Sequence, residues 1–191
     1  METTPQTKTR RPIWWYIATW FGSGLSPFAS GTAGSAAALP FAWVIQKGFG
    51  AYFGNIVFGN VALFIASILI FFIGWWASIQ YLNANPGNTD PGEIVVDEVA
   101  GQWLLLSVLF PTWHSYFVGF LLFRIFDVVK PWPVSWADQK IGGGLGVMFD
   151  DMLAALYPIL VFLAIMIESQ LFHGQKIFLP ILHFLGGHYV Q

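Results

Sequence analysis

Carboxylate side chains are concentrated in one part of this 191-residue chain. Eight of its ten acidic residues lie between positions 90 and 151. They include two adjacent pairs, Asp97 with Glu98 and Asp150 with Asp151. Clustered carboxylates repel one another unless a cation lies among them. Because Mg²⁺ prefers oxygen ligands, typically one or two carboxylates together with phosphate oxygens, the two pairs predict a Mg²⁺ site.

Each acidic pair also has a purely structural explanation, since both are expected to open a helix. Carboxylates at a helix N-terminus complement the helix dipole by about 0.3–1 kcal/mol. Glu93 lies four residues before Asp97 and is expected on the same helix face. Either pair alone fits both helix stabilisation and a metal site. The two pairs together, with Asp127 nearby, favour a functional site.

The segment FRIFDVVKP carries Arg124, Asp127 and Lys130 at intervals of three residues, along one side of a helix end. Arg124 offers a bidentate fork for phosphate and Lys130 a point charge. The alternative is that both only anchor a helix at the membrane surface. Asp127 opposes the dipole of a helix C-terminus, so it needs a neutralising partner or a function. It is expected to be a general base or a further metal ligand.

Two glycine-rich segments and one further acidic residue give weaker indications of function. Ser30–Ser35 is small and flexible where a helix begins, and its N–H groups, with Thr32 and Ser35, could bind an anion. Small residues also permit close helix packing. Gly142–Gly146 is either a flexible lid or a connector, and Asp138 is expected to cap or orient this loop. No Walker-type lysine is present, so no nucleotide cofactor is expected.

The elements that position these residues are membrane helices. Hydrophobic residues make up 56% of the chain and charged residues only 9%, against about 25% charged in an ordinary domain. The fold class predicted is an all-α, polytopic transmembrane bundle with short interfacial helices at both ends. About 20 apolar residues cross a bilayer. Five spans are predicted, at 32–47, 55–82, 93–110, 113–130 and 150–171.

The chain divides into a polar cytoplasmic tail at 1–12, a membrane-embedded domain at 13–172 and an interfacial tail at 173–191. Lysine and arginine favour the cytoplasmic side of a membrane, which places the N-terminus and the 130–149 loop there. The span ends that carry the acidic and basic residues then meet at the cytoplasmic face. The four histidines are left at or near the opposite face: His114, His173, His183 and His188.

The residue types exclude several classes of chemistry. The chain has no cysteine, so disulfides, thiolate metal sites and a cysteine nucleophile are ruled out. Without a basic patch, nucleic acid is not an expected partner. A histidine intermediate is disfavoured because no histidine is expected near the acids. The simplest remaining chemistry is metal-activated water attacking a phosphorylated lipid head group, with basic groups stabilising the charge.

Four segments together resemble one known family. GLSPFASGTAGSAAALP, DPGEIVVDEVAG, FRIFDVVKPWPVSWAD and GGGLGVMFDDMLAAL are similar, in this order, to the blocks of bacterial phosphatidylglycerophosphatase A. The resemblance implies a Mg²⁺-dependent, multi-pass phosphatase of the bacterial cytoplasmic (inner) membrane. Its substrate would be the phospholipid phosphatidylglycerophosphate, hydrolysed to phosphatidylglycerol and inorganic phosphate.

The resemblance also implies roles for individual residues. Metal ligands would be Asp97, Glu98, Asp150 and Asp151, with Asp127 and Asp97 catalytic. Phosphate would be bound by Arg124, Lys130, Thr32 and Ser35, with Glu93 and Asp138 accessory. The sequence departs from the family pattern at Ser30, where the family usually has proline, and at Ala155, where it usually has glycine. Glu93 falls at a position that the family does not fix.

Two other functions are compatible with clustered acids. A phosphotransferase acting on lipid alcohols also uses Asp and Mg²⁺, but it would need a nucleotide-diphosphate site that the sequence does not contain. An ion or proton transporter also carries intramembrane carboxylates, although these are expected near mid-bilayer on broken helices. Here the acids are predicted at span ends.

Overall fold

The computed structural model describes residues 10–88 and 91–171, with the side chains of the last helix described as far as Glu168. The predicted tail at 173–191 and most of the predicted polar tail lie outside the described residues. Within them the chain is all-helical and contains no strand, which confirms the all-α part of the predicted class. The helices are α1 (Ile13–Ala18), α2 (Ser30–Tyr52), α3 (Ile56–Ala84), α4 (Val96–Leu106), α5 (Trp113–Val129), α6 (Val134–Lys140) and α7 (Gly143–Leu171), with a 3-10 turn at Ser23–Leu25.

Two of these helices are long and apolar enough to cross a membrane, α3 over Ile56–Ala84 and α7 over Gly143–Glu168. Large apolar side chains on α3 remain exposed, among them Phe64, Leu69 and Phe72. Such a surface is typical of contact with lipid. The described residues therefore form a membrane-associated helical protein with two candidate spans, and the number five stays a prediction.

Helix α4 lies in the centre of the bundle and packs against α2, α3, α5 and α7. Nine of its eleven residues are buried, as expected for a helix that is apolar nearly all round. It is shorter than the apolar segment predicted at 93–110, because the chain leaves the helix after Leu106 and turns before Pro111. At about 1.5 Å per residue, α4 is too short to cross a bilayer as a helix.

The start of α7 also differs from the prediction. Gly142–Gly146 was expected to be a flexible lid or a connector, but the helix begins at Gly143, so only Gly142 of this segment belongs to the connection between α6 and α7. Gly146 is required there, since a Cβ at this position would lie 1.8 Å from the Ile141 carbonyl oxygen. Asp150 and Asp151 consequently lie well inside α7, whose first turn has no acidic residue. The helix dipole acts only within the first turn, so it does not explain this pair.

A buried glutamine forms hydrogen bonds between helices at the end of the bundle that lies away from the acidic residues. Gln46 on α2 is fully buried, and its amide nitrogen donates to the carbonyl oxygens of Leu106 (3.2 Å) and Leu109 (2.9 Å). The same nitrogen donates to Asn60 Oδ1 at 2.6 Å. The Tyr116 hydroxyl donates to Gln46 Oε1 at 2.8 Å. Gln46 thereby gives a hydrogen-bond partner to the Leu109 carbonyl and a second one to the Leu106 carbonyl, which also accepts from the Leu109 N–H at 3.1 Å.

Replacing this glutamine is expected to destabilise the fold. Gln46→Leu removes the side chain to which the Leu109 carbonyl and the Tyr116 hydroxyl are hydrogen-bonded, at a cost of about 1–3 kcal/mol for each group left unsatisfied. Thermal unfolding in detergent measures the effect. Gln80→Leu, at a half-buried glutamine on α3, is the matched control and should change the unfolding temperature less. Equal unfolding temperatures for the two variants would mean that the Leu109 carbonyl and the Tyr116 hydroxyl find other partners.

Candidate active site

A polar cavity of about 430 Å³ opens where the start of α4, the end of α5, α6 and the first turns of α7 meet. Ser30, the first residue of α2, also lines it. The charged residues that line the cavity are Asp97, Glu98, Asp127, Lys130, Asp138, Asp150 and Asp151. The convergence of these helix ends is the arrangement that the sequence predicted, although their individual roles stay predictions.

Three carboxylates in this cavity approach one another closely. One oxygen from each of Asp97, Glu98 and Asp151 lies within 4.8 Å of the others. Asp97 and Glu98 lie in the first turn of α4, and Asp151 on α7 is only 3% exposed. The Oε2 atom of Glu98 is buried and has no hydrogen-bond partner among the described residues. This all-oxygen set of donors fits a hard divalent cation such as Mg²⁺.

Arg124 neutralises acids at the edge of the same cluster. Its guanidinium pairs with Asp127, one turn further along α5, and lies 3.7 Å from Glu98 Oε1. Its Nη1 also donates to Ser35 Oγ at 3.4 Å, and the Ser35 hydroxyl donates to the Gly31 carbonyl at 2.8 Å. The pairing explains how Asp127 is tolerated near a helix C-terminus. Ser35 and Arg124 do not line the cavity, so the predicted phosphate contacts remain predictions for both.

The glycine-rich segment that was expected to form a phosphate loop is the first part of α2. Gly31 brings this helix against the acidic cluster, since a Cβ there would lie 2.1 Å from Glu98 Oε1 and 3.0 Å from Arg124 Nη1. Thr32 is exposed and does not line the cavity. The segment therefore positions Glu98 and Arg124, and Ser30 is its contribution to the cavity wall.

Lys130 follows α5 directly and has a left-handed backbone, with φ of 44°. Its ammonium donates to Asp138 on α6 and, at 2.7 Å, to Asp150 Oδ2 on α7. Burial alone would lower the pKa of Lys130, but the two hydrogen-bonded carboxylates outweigh it and raise the pKa above its ordinary value. Lys130 is thus a permanent positive charge on the cavity wall. Asp150 differs from the three converging carboxylates because it already has this partner.

The two predicted accessory residues lie in different places. Asp138 lines the acidic cavity and orients Lys130. Glu93 lies in a neighbouring cleft, where it accepts a hydrogen bond from the Tyr81 hydroxyl. Sequence reasoning missed Tyr81 and Ser30. Ser30 could have been noticed because the sequence departs from the family pattern there. No local sequence pattern pointed to Tyr81.

Comparisons with known proteins cover the part of the chain that forms this cavity. The family model described as phosphatidylglycerophosphatase A matches residues 16–166, which include every residue of the acidic cavity. No solved structure matches the chain.

Curated relatives cover most of the chain. It is 40% identical to "Phosphatidylglycerophosphatase A" of Escherichia coli, over 75% of this chain and 77% of the relative. It is 35% identical to the protein of the same name from Haemophilus influenzae, over 78% of this chain and 86% of the relative. A Bacteroides thetaiotaomicron relative, provisionally named a phosphatidylinositol-3-phosphatase, is 38% identical over 76% of this chain and 88% of its own length. The helical fold, the acidic cavity and these matches together make the chain a member of the phosphatidylglycerophosphatase A family of phosphatase enzymes.

Proposed function

We propose that the protein is a Mg²⁺-dependent lipid phosphatase that hydrolyses phosphatidylglycerophosphate to phosphatidylglycerol and inorganic phosphate at the cytoplasmic face of the inner membrane. The observation that carries the proposal is the cavity in which Asp97, Glu98 and Asp151 converge beside Lys130. The substrate is taken from the names of two relatives, which are phosphatidylglycerophosphatases.

The three converging carboxylates are the proposed metal ligands, with Asp150 as a further candidate. When bound, Mg²⁺ would offset their charge and withdraw electrons from the phosphoryl group. Carboxylates alone would repel an anionic substrate. The ammonium of Lys130, held on the cavity wall by Asp138 and Asp150, attracts the phosphate and stabilises charge on its oxygens.

Asp127 is the proposed general base. It lines the cavity but is not one of the three converging carboxylates, so it is available to take a proton from water. The oxygen of that water forms a bond to phosphorus while the bond from phosphorus to the lipid oxygen breaks. The released lipid alkoxide takes a proton from solvent at the cavity mouth. Arg124, paired with Asp127 and close to Glu98, fixes the direction of both carboxylates.

The proposed topology is multi-pass, with the acidic cavity on the cytoplasmic side. Besides α3 and α7, α2 and α5 are long enough to pass through most of the hydrocarbon core. Helix α4 and the turns after it would make the fifth passage. Its short length is acceptable because other helices surround it, and irregular backbone at membrane depth is tolerated when protein buries it.

Neutralising a metal ligand should stop turnover without unfolding the protein. Asp97→Asn and Asp151→Asn are each expected to lower kcat for phosphate release at least about a hundredfold. Both variants should keep the thermal stability of the wild type, since each removes a buried charge from a repelling cluster. Glu168→Gln, at an exposed acid on α7, is the matched control. Near-normal turnover in both site variants would remove the metal assignment.

Removing the cation should abolish activity reversibly. Phosphate release from phosphatidylglycerophosphate is expected with Mg²⁺, lost with excess EDTA and regained when Mg²⁺ is restored. Binding can be followed separately with Mn²⁺ by electron paramagnetic resonance, and Asp97→Asn should weaken it. Full activity in EDTA would contradict the proposal. If phosphate is released from a phosphoinositide but not from phosphatidylglycerophosphate, the substrate would instead be of the kind named for the Bacteroides relative.

Orientation can be tested by cysteine labelling, because the natural chain has no cysteine. In sealed, right-side-out cells, Lys140→Cys is expected to resist an impermeant thiol reagent. Trp113→Cys, at the opposite end of α5, is exposed and is expected to react. The reverse labelling pattern would invert the topology, and permeabilised cells provide the control for reactivity.

A further inference from the structure

A second polar cleft, of about 900 Å³, adjoins the acidic cavity. It lies between the 3-10 turn, the last turn of α3 and the segment before α4. Ser30 and Gly92 line both spaces, so a ligand in one is within reach of the other. The proposed hydrolysis of the phosphate ester takes place in the acidic cavity alone and does not use the cleft.

The described residues that line this cleft include no lysine or arginine, and Glu93 is their one charged side chain. Because none of these lining residues is basic, the Glu93 carboxylate repels a phosphate group in the cleft. It accepts hydrogen bonds well from hydroxyl groups, and its two oxygens offer about four acceptor positions. The serine and asparagine side chains on the wall are also neutral and polar. The chemistry of the cleft therefore fits an alcohol better than a second phosphate.

Glu93 is held in a fixed position, as a binding group needs to be. The Tyr81 hydroxyl donates to its carboxylate, and the Tyr81 ring is 4% exposed and packs edge-on against Trp14 at 5.8 Å. The Asn85 side chain donates to the Tyr81 carbonyl at 2.9 Å. The backbone next to Glu93 is also fixed, since the Val95 N–H donates to the Ala18 carbonyl at 2.9 Å.

We propose that Glu93, positioned by Tyr81, accepts a hydrogen bond from the hydroxyl of the glycerol that carries the scissile phosphate. The phosphate would occupy the acidic cavity and the adjoining glycerol the cleft. Glu93 is then a specificity-determining residue and Tyr81 a positioning residue. This inference rests on the proposed function, because it assigns the second part of the same substrate.

The test compares phosphatidylglycerophosphate with an analogue that lacks the hydroxyl on the middle carbon of its terminal glycerol. The readout is the ratio of the two kcat/KM values, which does not depend on the fraction of enzyme that is folded. The wild type should prefer the natural head group by at least about tenfold, the effect of a hydrogen bond to a charged acceptor. Glu93→Ala should reduce the ratio to near one, and Glu93→Gln to an intermediate value. Tyr81→Phe should also lower it, because the carboxylate loses its fixed direction.

Two control variants carry the same changes of residue type at exposed positions remote from the cleft. These are Tyr52→Phe and Glu168→Gln, and both should keep the wild-type ratio. If wild-type enzyme releases phosphate from neither lipid, the proposed function fails. If it hydrolyses both lipids, either of two results overturns the inference alone. One is a wild-type ratio near one. The other is a Glu93→Ala variant that keeps the wild-type ratio because its kcat/KM falls equally on both substrates.

Discussion

The mutual repulsion of carboxylates buried in an apolar bundle is the constraint on which this structure depends. Six acids line one small cavity: Asp97, Glu98, Asp127, Asp138, Asp150 and Asp151. Only two basic side chains, Arg124 and Lys130, pair with members of this set in the described part of the chain. Burying an uncompensated charge costs several kcal/mol per ion. The excess negative charge has to be offset by protons or by a bound cation.

The scaffold accepts this unfavourable cluster because α4 is fixed on every side. Its start carries Asp97 and Glu98, and its far end is fastened by Gln46. Gly101 lets α4 approach α7 closely, since a Cβ there would lie 2.7 Å from the Asp151 carbonyl oxygen. The position of one short helix therefore sets the separation of the three converging carboxylates. Carboxylates held by packing cannot move apart to relieve their repulsion, which preorganises them for a cation.

The sequence was sufficient to predict the helical class and to single out the charged residues that line the acidic cavity, because charged groups are rare in this chain and their positions are informative. The roles of these residues stay predictions. The sequence was insufficient for the lengths of α4 and α7. An apolar run buried by protein and one buried by lipid have the same composition, so hydropathy did not show that the helix ends at Leu106. The glycines at 142–146 suggested a loop, yet close packing around Gly146 requires glycine inside a helix. Gln46 and Tyr81 act through residues distant in sequence, and no local pattern reports such contacts.

The two adjoining spaces differ in charge, and the difference separates chemistry from recognition. The acidic cavity can accept a phosphate only together with positive charge, so occupancy by cation and by phosphate is coupled. Among the described residues that line the neighbouring cleft none is basic, which suits a neutral group. A phosphate monoester without an alcohol next to it would satisfy the first space and leave Glu93 without a ligand. Since Ser30 and Gly92 join the spaces, a head group that fills both places its ester bond at their boundary. Selectivity for the head group can therefore change through the residues of the cleft while the carboxylates that perform the hydrolysis stay the same.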